Sequence, residues 1–421
     1  MKSIDQVEAR TVINAANTPG DMANQFIISQ PGSYYLTGNI TGLSGKTGLA
    51  VTASNVTIDL NGFSLVGVAG SVYGIRVPAV VGNLTVRNGV VRDWGSEGLS
   101  AYNANNSRFK EIRAYGNSIW GLVIGIGGGI ESCQAYANGA GSTGGGGMYA
   151  RFSSTVTNCI AEANTTHGIL TEDGCMIIAC TASDTALSGA TNGQGIFTGL
   201  GCSVTGSSAR SNAGAGIVVS NEGLVSGCAA SNNLLGILTG NNCCVSNCTA
   251  SGNNRAGIVT GTGCMIASCA ASGNAKAPAG AYNAGIVSGA GGAVSFCATS
   301  SNQQDGIYAA DSSLISRCSS FGNLQSGIFV QGACTVQDCL VVGNAEGIAL
   351  TGDANRIDGN NVARSSLYPD IGMNGSSSTS GQTVVIRNSV SKRFATGTGD
   401  DVAPQVSAAT ATSPWANLAQ P

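Results

Sequence analysis

The chain contains few residues equipped for acid–base chemistry. Its 421 residues include one histidine, His167, and only 10% are charged. Arg151, Glu172 and Asp173 lie close to His167 in the sequence, and Glu222 follows further along. Removal of a proton α to a carboxylate would need a base for that proton and a cation to neutralise the carboxylate. Arg151 and His167 are the nearest candidates for these two roles.

A pair of carboxylates would instead support glycoside hydrolysis. Asp173 and Glu222 lie two repeat units apart, which in stacked strands is about 10 Å. An inverting glycosidase separates its two carboxyl groups by roughly 6.5–9.5 Å. Isolated charges are more often solvated surface, and Arg151 with Glu172 would then form a surface ion pair. The catalytic residues are therefore unknown at this stage, and all five residues named above remain candidates.

The cysteines predict a structural role. There are 15 of them, an odd number, so at least one thiol is not bonded within the chain. No C-x-x-C pair has a matching second pair, and one histidine cannot build a His-rich site, so we expect no metal and no cofactor, with calcium in the loops left open. Stacked thiols lie further apart than the ~3.8 Å between β-carbons that a disulfide prefers. Free thiols filling the core are expected, and the adjacent Cys243 and Cys244 are the first place to look for a bond.

The cysteines belong to a sequence repeat with a period of 20 or 21 residues. A glycine followed by an apolar residue marks each repeat, and 14 such marks run from Gly48 to Gly347. Counted from that glycine, Val or Ile stands at +9, Cys at +12 and Asn at +17 in most repeats. Stacked parallel strands produce this pattern, because each coil lays the same side chain about 4.8 Å above the one before. The coils are too short for a helix, so three short strands and three turns are expected in each.

The period predicts an all-β fold, a parallel β-helix of about 14 coils with buried ladders of Cys and Asn. Residues 1–40 precede the clear repeats and are expected to form an N-terminal cap, since a solenoid end exposes unpaired strand edges. The solenoid would occupy residues 41–361. Residues 362–421 would supply a further strand and a tail that packs on the solenoid.

Alternation in the strand that carries the glycine mark turns the +1 and +3 side chains inward and the +2 side chain outward. The +2 residues are all apolar, and in register they would form a stripe about 40 Å long. Three interpretations stay open: cover by insertions or by the C-terminal tail, packing against another subunit, and stacking of sugar rings on Tyr149, Phe197, Tyr308 and Phe329. The stripe consists of Tyr149, Leu170, Phe197, Val218, Leu238, Val259, Val287, Tyr308 and Phe329.

Composition excludes several classes of protein. The net charge is −3 and no basic run exceeds Lys392-Arg393, so a nucleic-acid partner is not expected. No apolar run reaches the ~18–20 residues of a membrane span. The apolar fraction of 43% is too high for a disordered polyelectrolyte.

Two segments resemble a known family. Residues 31–40 (PGSYYLTGNI) and 55–62 (NVTIDLNG) are similar to the opening of secreted bacterial right-handed parallel β-helix repeat proteins of the pectin-lyase-like superfamily. The resemblance implies right-handed coils, action on acidic polysaccharides, and an exported or cell-surface protein whose signal peptide is absent from this sequence. The catalytic signatures of polygalacturonase-like hydrolases are missing: Asp400-Asp401 is the lone Asp-Asp pair, and His167 stands in Thr-His-Gly-Ile.

Two functions from different classes follow. The leading hypothesis is an exported β-helix that binds a polysaccharide along the strands that carry the glycine mark, and modifies it by lyase, epimerase or hydrolase chemistry. The alternative is a non-catalytic structural or adhesive solenoid that self-associates through its apolar stripe. The first predicts a monomer in solution and the second a homo-oligomer.

Overall fold

The chain folds into short parallel β-strands. The structure, a computed structural model, describes residues 10–141, 144–186, 193–276, 283–373, 383–391, 401–402, 405–407 and 417–419. It divides into two compact units, residues 1–218 and residues 219–421. The described residues contain no helix, and thus none that is long and apolar enough to cross a membrane.

Each coil contributes three strands, and like strands of successive coils pair in parallel and in register. In the first unit Ile169 pairs with Ile196, and in the second Ile307 pairs with Ile328. The predicted alternation is confirmed: in the strand His167–Thr171 the side chains of Ile169 and Thr171 are buried, while that of Leu170 is half-buried. The expected parallel β-helix is therefore present in both units.

We call the strand at the position of the glycine mark the first strand of its coil, and the described residues of the first unit contain nine such strands. Two long strands combine the second and third strands of their coils, because they pair with both. The first strands are Asn24–Ile28, Thr47–Val51, Ile75–Arg76, Leu99–Ala101, Trp120–Ile124, Gly146–Ala150, His167–Thr171, Gln194–Thr198 and Ala215–Val219. The second strands are Thr11–Val12, Gly32–Tyr35, Val56–Asp59, Gly129–Glu131, Thr155–Thr157, Met176–Ile178 and Ser203–Thr205. The third strands are Ile40–Thr41, Ser64–Val66, Gln134–Tyr136, Ile160–Glu162, Thr181–Ser183 and Ser208–Arg210, the long strands are Leu84–Arg92 and Arg108–Tyr115, and Val81–Gly82 pairs separately with Ala104–Asn105.

The second unit repeats this plan. Its first strands are Leu235–Thr239, Ile258–Val259, Ala284–Ser288, Asp305–Ala309, Ser326–Val330, Glu346–Leu350 and Ile371–Met373. Its second strands are Leu224–Ser226, Cys244–Ser246, Met265–Ala267, Ala293–Ser295, Leu314–Ser316, Thr335–Gln337, Arg356–Asp358, Val384–Ile386 and Asp401–Val402. Its third strands are Ala229–Ser231, Thr249–Ser251, Ala270–Ser272, Ala298–Ser300, Ser319–Phe321, Leu340–Val342, Asn361–Ala363, Ser389–Val390 and Asn417–Ala419, with Gln405–Ser407 paired to the last of these.

The coil count is higher than predicted, about 17 turns instead of 14. The strands Asn24–Ile28 and Ile371–Met373 pair with the neighbouring first strands but have no glycine at the marked position. Counting the glycine marks in the sequence therefore misses their coils. Coil pairing also crosses the residue-40 boundary, because Gly32–Tyr35 pairs with Val56–Asp59. The proposed tail docking falls largely on residues 392–416, most of which lie outside the described residues.

The Cys ladder is buried as predicted, but it is not simply an apolar filling. A single left-handed residue, such as Asn158 with φ 54°, bends the chain between the second and third strands, and the cysteine follows it. The Cys159 thiol lies 3.2 Å from the carbonyl oxygen of Thr157 and accepts a bond from the backbone N–H of Cys133 at 3.4 Å. Two coils after Cys159, Ser207 stands in place of the cysteine, and its hydroxyl oxygen accepts from Cys180 N–H at 3.1 Å. The thiols therefore cap the corner as small polar groups.

The Asn ladder is confirmed, and it explains the glycine mark. Asn253 donates from both its backbone N–H and its Nδ2 to Oδ1 of Asn274, at 3.0 and 2.9 Å. A Cβ added to the glycine at the first-strand mark, Gly236, would lie 2.8 Å from Asn253 Nδ2 and 2.2 Å from the carbonyl oxygen of Gly257. The mark is a glycine because the ladder leaves no room for a side chain.

Candidate functional site

Three columns of side chains meet on the first strands of the first unit. Each column holds one residue per coil at a fixed offset from the marking glycine, −1, +2 or +4. The −1 column contains Trp120, Gly146, His167 and Gln194, the +2 column contains Tyr149, Leu170 and Phe197, and the +4 column contains Tyr102, Gly125, Arg151 and Glu172.

Glycines in two of these columns let side chains from alternate coils meet. Trp120 pairs with Gly146, which pairs with His167. Because Gly146 has no side chain, the rings on either side lie 6.3 Å apart and nearly parallel. A Cβ on Gly146 would come within 2.9 Å of the Trp120 ring.

Five rings form a continuous band, which we call the ring band. Its centroid separations are 6.3 Å for Tyr102–Tyr149, 5.5 Å for Tyr149–Trp120, 6.3 Å for Trp120–His167 and 5.8 Å for His167–Phe197. Aromatic rings at these separations are in contact. Tyr102 is 41% exposed and Trp120 only 7%, so the band contains both a solvent-exposed ring and a buried one.

A charged cluster borders the ring band. Arg151 Nε lies 3.5 Å from Glu172 Oε2, which confirms the expected ion pair. The guanidinium also sits 4.0 Å above the Tyr102 ring, reaching across the coil in which Gly125 occupies the +4 position. Glu172 accepts hydrogen bonds from the Tyr149 hydroxyl and, at 3.3 Å, from Phe152 N–H. Arg151 and Glu172 side chains are each about one-fifth exposed, so the pair is accessible from one side.

The electrostatics of the cluster assign protonation states. Burial and the hydrogen bond to Glu172 raise the pKa of Tyr149 well above its usual value, so the phenol stays protonated. Burial lowers the pKa of His167, so its imidazole is neutral near pH 7. Thr166 Oγ1 donates to the carbonyl oxygen of Gly145, and it lies 3.1 Å from His167 Nδ1. The imidazole also forms a hydrogen bond with the Gln194 side chain, so Thr166 and Gln194 together orient the ring.

Two of the sequence candidates do not join this cluster. Asp173 is exposed and accepts a hydrogen bond from Leu200 N–H at 2.7 Å, so it caps a corner. Asn221 does the same for Asn241 in the second unit. Glu222 belongs to the second unit and is an exposed corner residue with φ 61°. Their use as a carboxylate pair stays a prediction.

Tyr308 and Phe329 come together in the second unit. Their rings are parallel within 6° with centroids 5.3 Å apart, and Gln331 Nε2 donates to the Tyr308 hydroxyl at 2.7 Å. Asp305, at the start of the same strand as Tyr308, accepts from Ser326 N–H at 2.9 Å. Burial raises the pKa of Asp305 to about 6.

The rest of the +2 stripe is partly covered. Val259 and Val287 are buried together with Ala256 and Ala284, and Leu238 packs against them. Where the +2 residue is aromatic it is half-buried, not bare. The stripe is therefore half-buried at its rings and leucines and buried at its valines.

Tyr102, Trp120 and Gln194 were missed by sequence reasoning. The signal was available in the repeat, because Tyr102 shares offset +4 with Arg151 and Glu172, and Trp120 shares offset −1 with His167. Alternation assigns the −1 position to the inner face, yet the first strands begin at this corner and their −1 side chains contact +2 rings. No three His, Cys, Asp or Glu side chains placed to hold a metal ion occur in the described part of the chain.

Comparison with known proteins supports the fold. The family model described as "Right handed beta helix region" matches residues 191–367. Parallel in-register coils occur in both units, so the fold is a parallel β-helix, and residues 191–367 are similar to the right-handed β-helix family. No curated protein matches the chain.

Solved structures with a similar chain trace include two epimerases and a tailspike protein. The A-module of Azotobacter vinelandii mannuronan C-5 epimerase AlgE4 is 13% identical, with 88% of this chain and 90% of that chain covered and a TM-score of 0.35. The periplasmic alginate epimerase AlgG is 11% identical, with coverage of 90% and 83% and a TM-score of 0.36. The Dettilon tailspike protein is 13% identical, with coverage of 76% and 58% and a TM-score of 0.38.

Proposed function

We propose that the chain binds an acidic polysaccharide along the ring band and catalyses proton transfer at a uronate residue beside it. The observation that carries the proposal is the contact of five rings with the Tyr149–Glu172–Arg151 cluster. Ligand sites combine aromatic surface with a small number of placed polar groups, and this arrangement has both. The rings would stack on pyranose faces, and Arg151 would receive the uronate carboxylate.

The protonation states suit a reaction that begins at C5 of the uronate. The neutral imidazole of His167 would remove the C5 proton, whose acidity rises when Arg151 neutralises the carboxylate. In elimination, the electron pair forms a C4=C5 double bond, the bond to the glycosidic oxygen breaks, and that oxygen takes the proton of the Tyr149 hydroxyl. In epimerisation, C5 takes the proton of the Tyr149 hydroxyl from the face opposite His167, and the glycosidic bond stays intact.

Hydrolysis is less well supported by the geometry. It uses two carboxyl groups flanking the scissile bond. The cluster contains one carboxylate, Glu172, beside Tyr149 and Arg151. Asp173 is engaged at a corner.

The test is a panel of polygalacturonate, polymannuronate and a neutral glucan, each with added calcium and with a chelator. Unsaturated ends report elimination, and C5 configuration by NMR reports epimerisation. We expect a product on a polyuronate only, lost at least about a hundredfold in Tyr149→Phe and His167→Gln. Leu170→Val, in the same +2 column, is the matched control and should keep its activity. Dependence on calcium would add that ion to the proposal, and absence of product on every polymer would overturn its catalytic part.

Binding is tested separately on two exposed tyrosines. Tyr102 belongs to the ring band, whereas Tyr136, 44% exposed, lies on a third strand and stacks on Tyr115. Tyr102→Leu should weaken oligouronate binding about 2- to 10-fold, and Tyr136→Leu should not. Equal affinities would show that the ring band is not the binding surface and favour the non-catalytic solenoid.

The proposal includes export, since the polymers it names lie outside the cytoplasm. Cell fractionation of the producing organism tests this directly. Recovery of the protein in the cytoplasm alone would contradict it.

A further inference from the structure

A groove of about 500 Å³ lies on the second strands of the first unit, away from the strands of the ring band. The proposed function makes no use of it. It is lined by Thr85, Arg87, Arg108, Phe109, Lys110, Gly128, Gly129, Ile130, Glu131, Thr155 and Thr157.

The register of four coils creates the groove. One row across the coils reads Thr85, Arg108, Gly129 and Thr155. Gly129 leaves a gap between Arg108 and Thr155, and a Cβ placed on it would meet no atom within 4 Å. The cationic side chains of Arg87, Arg108 and Lys110 lie on one side of this gap. The hydroxyls of Thr155 and Thr157 lie on the other side.

The charges of the adjacent row are paired, whereas the charge of Arg108 is not. That row reads Arg87, Lys110, Glu131 and Thr157. Arg87 pairs with Asp59 at 3.0 Å, and Lys110 pairs with Glu131 at 3.3 Å. Arg108 is exposed, and its guanidinium makes no ion pair or hydrogen bond with any described residue. Glu131 faces the groove but its charge is offset by Lys110. In a chain with only 10% charged residues, this concentration of cations is unusual.

We propose that the groove binds the acidic group of a glycan, a carboxylate or a sulfate, with Arg108 as its main contact. A guanidinium offers two parallel N–H donors to an oxyanion, and the Thr155 and Thr157 hydroxyls can donate from the opposite wall. This inference is independent of the proposed function, because it assigns a second binding surface on other strands.

The test measures binding of an oligogalacturonate, a dextran sulfate fragment, inorganic sulfate and neutral dextran by calorimetry. It uses the full chain carrying Tyr102→Leu, so that binding at the ring band does not dominate. Arg108→Gln should weaken binding of an acidic glycan roughly 3- to 10-fold. Arg113→Gln, an exposed arginine on the same strand but outside the groove, should leave it unchanged.

A steric variant separates the groove from general charge effects. Gly129→Thr places in the gap the residue that its row already has at Thr85 and Thr155, and it should abolish the Arg108-dependent binding without changing the melting temperature. Preference for the oligogalacturonate identifies a carboxylate ligand and preference for dextran sulfate a sulfate. Binding by sulfate alone, equal binding of neutral dextran, or no effect of either variant would overturn the inference, whatever the result at the ring band.

Discussion

At the scale of single residues, the chain uses small polar groups where a sequence pattern suggests apolar filling. The thiols at offset +12 and the asparagines at offset +17 both bond along the coil axis. The same corner position accepts Cys or Ser, which fits a hydrogen-bonding role better than a hydrophobic one. Burial also keeps the thiols from reacting with reagents in solution, except at Cys244.

That exception gives a direct prediction. Fourteen cysteines are buried and Cys244 alone is partly accessible. Burial raises the pKa of the adjacent Cys243, which lowers its thiolate fraction further. An aromatic disulfide reagent should therefore label one thiol per folded chain and fifteen in denaturant. Cys244→Ser should remove the single rapid reaction, and several equally rapid thiols would contradict the buried ladders.

Asp305 predicts a dependence of stability on pH. Its pKa of about 6 in the fold exceeds the value of about 3.9 in an unfolded chain, so the folded state binds the proton more tightly. Stability should therefore fall as the pH rises from about 4 to about 6. Asp305→Asn, whose amide oxygen can still accept from Ser326, should raise the free energy of unfolding at pH 7 by about 1–3 kcal/mol and change little at pH 3.

The matched control is Asp311→Asn, an exposed aspartate that accepts from Gly332 N–H at 2.8 Å. Denaturant titrations at both pH values measure the difference. A stabilisation of Asp305→Asn that is equal at pH 3 and pH 7 would show that burial does not penalise the charged form.

At the scale of elements, each coil is held by ladders that run through its corners. The repeat in the sequence was enough to predict the three strands, the inward and outward alternation and the Asn ladder, because each is fixed by a period. Coils without the glycine mark, such as the one containing Asn24–Ile28, could not be counted that way. Only part of the ring band was predicted. The repeat places Tyr102 and Trp120 in the right columns, but it does not indicate that the gaps at Gly125 and Gly146 bring side chains of alternate coils into contact.

The Asn ladder can be tested at adjacent residues. Asn253 is fully buried and accepts from Asn233 while donating to Asn274 and to the Ala230 carbonyl, whereas Asn254 is exposed. Asn253→Ala leaves several buried groups unpaired and should lower the free energy of unfolding by about 1–3 kcal/mol. Asn254→Ala should change it by less than about 0.5 kcal/mol. Comparable losses in the two variants, measured by denaturant titration, would show that the ladder does not contribute to stability.

At the scale of the whole molecule, the proposed enzyme and the alternative solenoid differ in association. The +2 stripe is half-buried or covered at its described positions, so it presents no broad bare apolar surface of the kind that subunit interfaces use. We expect a mass near 41.7 kDa in solution by light scattering at micromolar concentration. A stable oligomer that Phe329→Ser dissociates would instead assign the stripe to self-association.

The central claim is that residues beside the ring band move a proton at C5 of a uronate. The most direct measurement is deuterium incorporation at C5 of polygalacturonate and polymannuronate in heavy water, followed by NMR. The account predicts deuterium at C5 if the reaction is epimerisation, or C4=C5 unsaturated ends if it is elimination, and neither product above background with His167→Gln. Chain cleavage that leaves saturated ends with C5 still protonated, or either product surviving in His167→Gln, would contradict it.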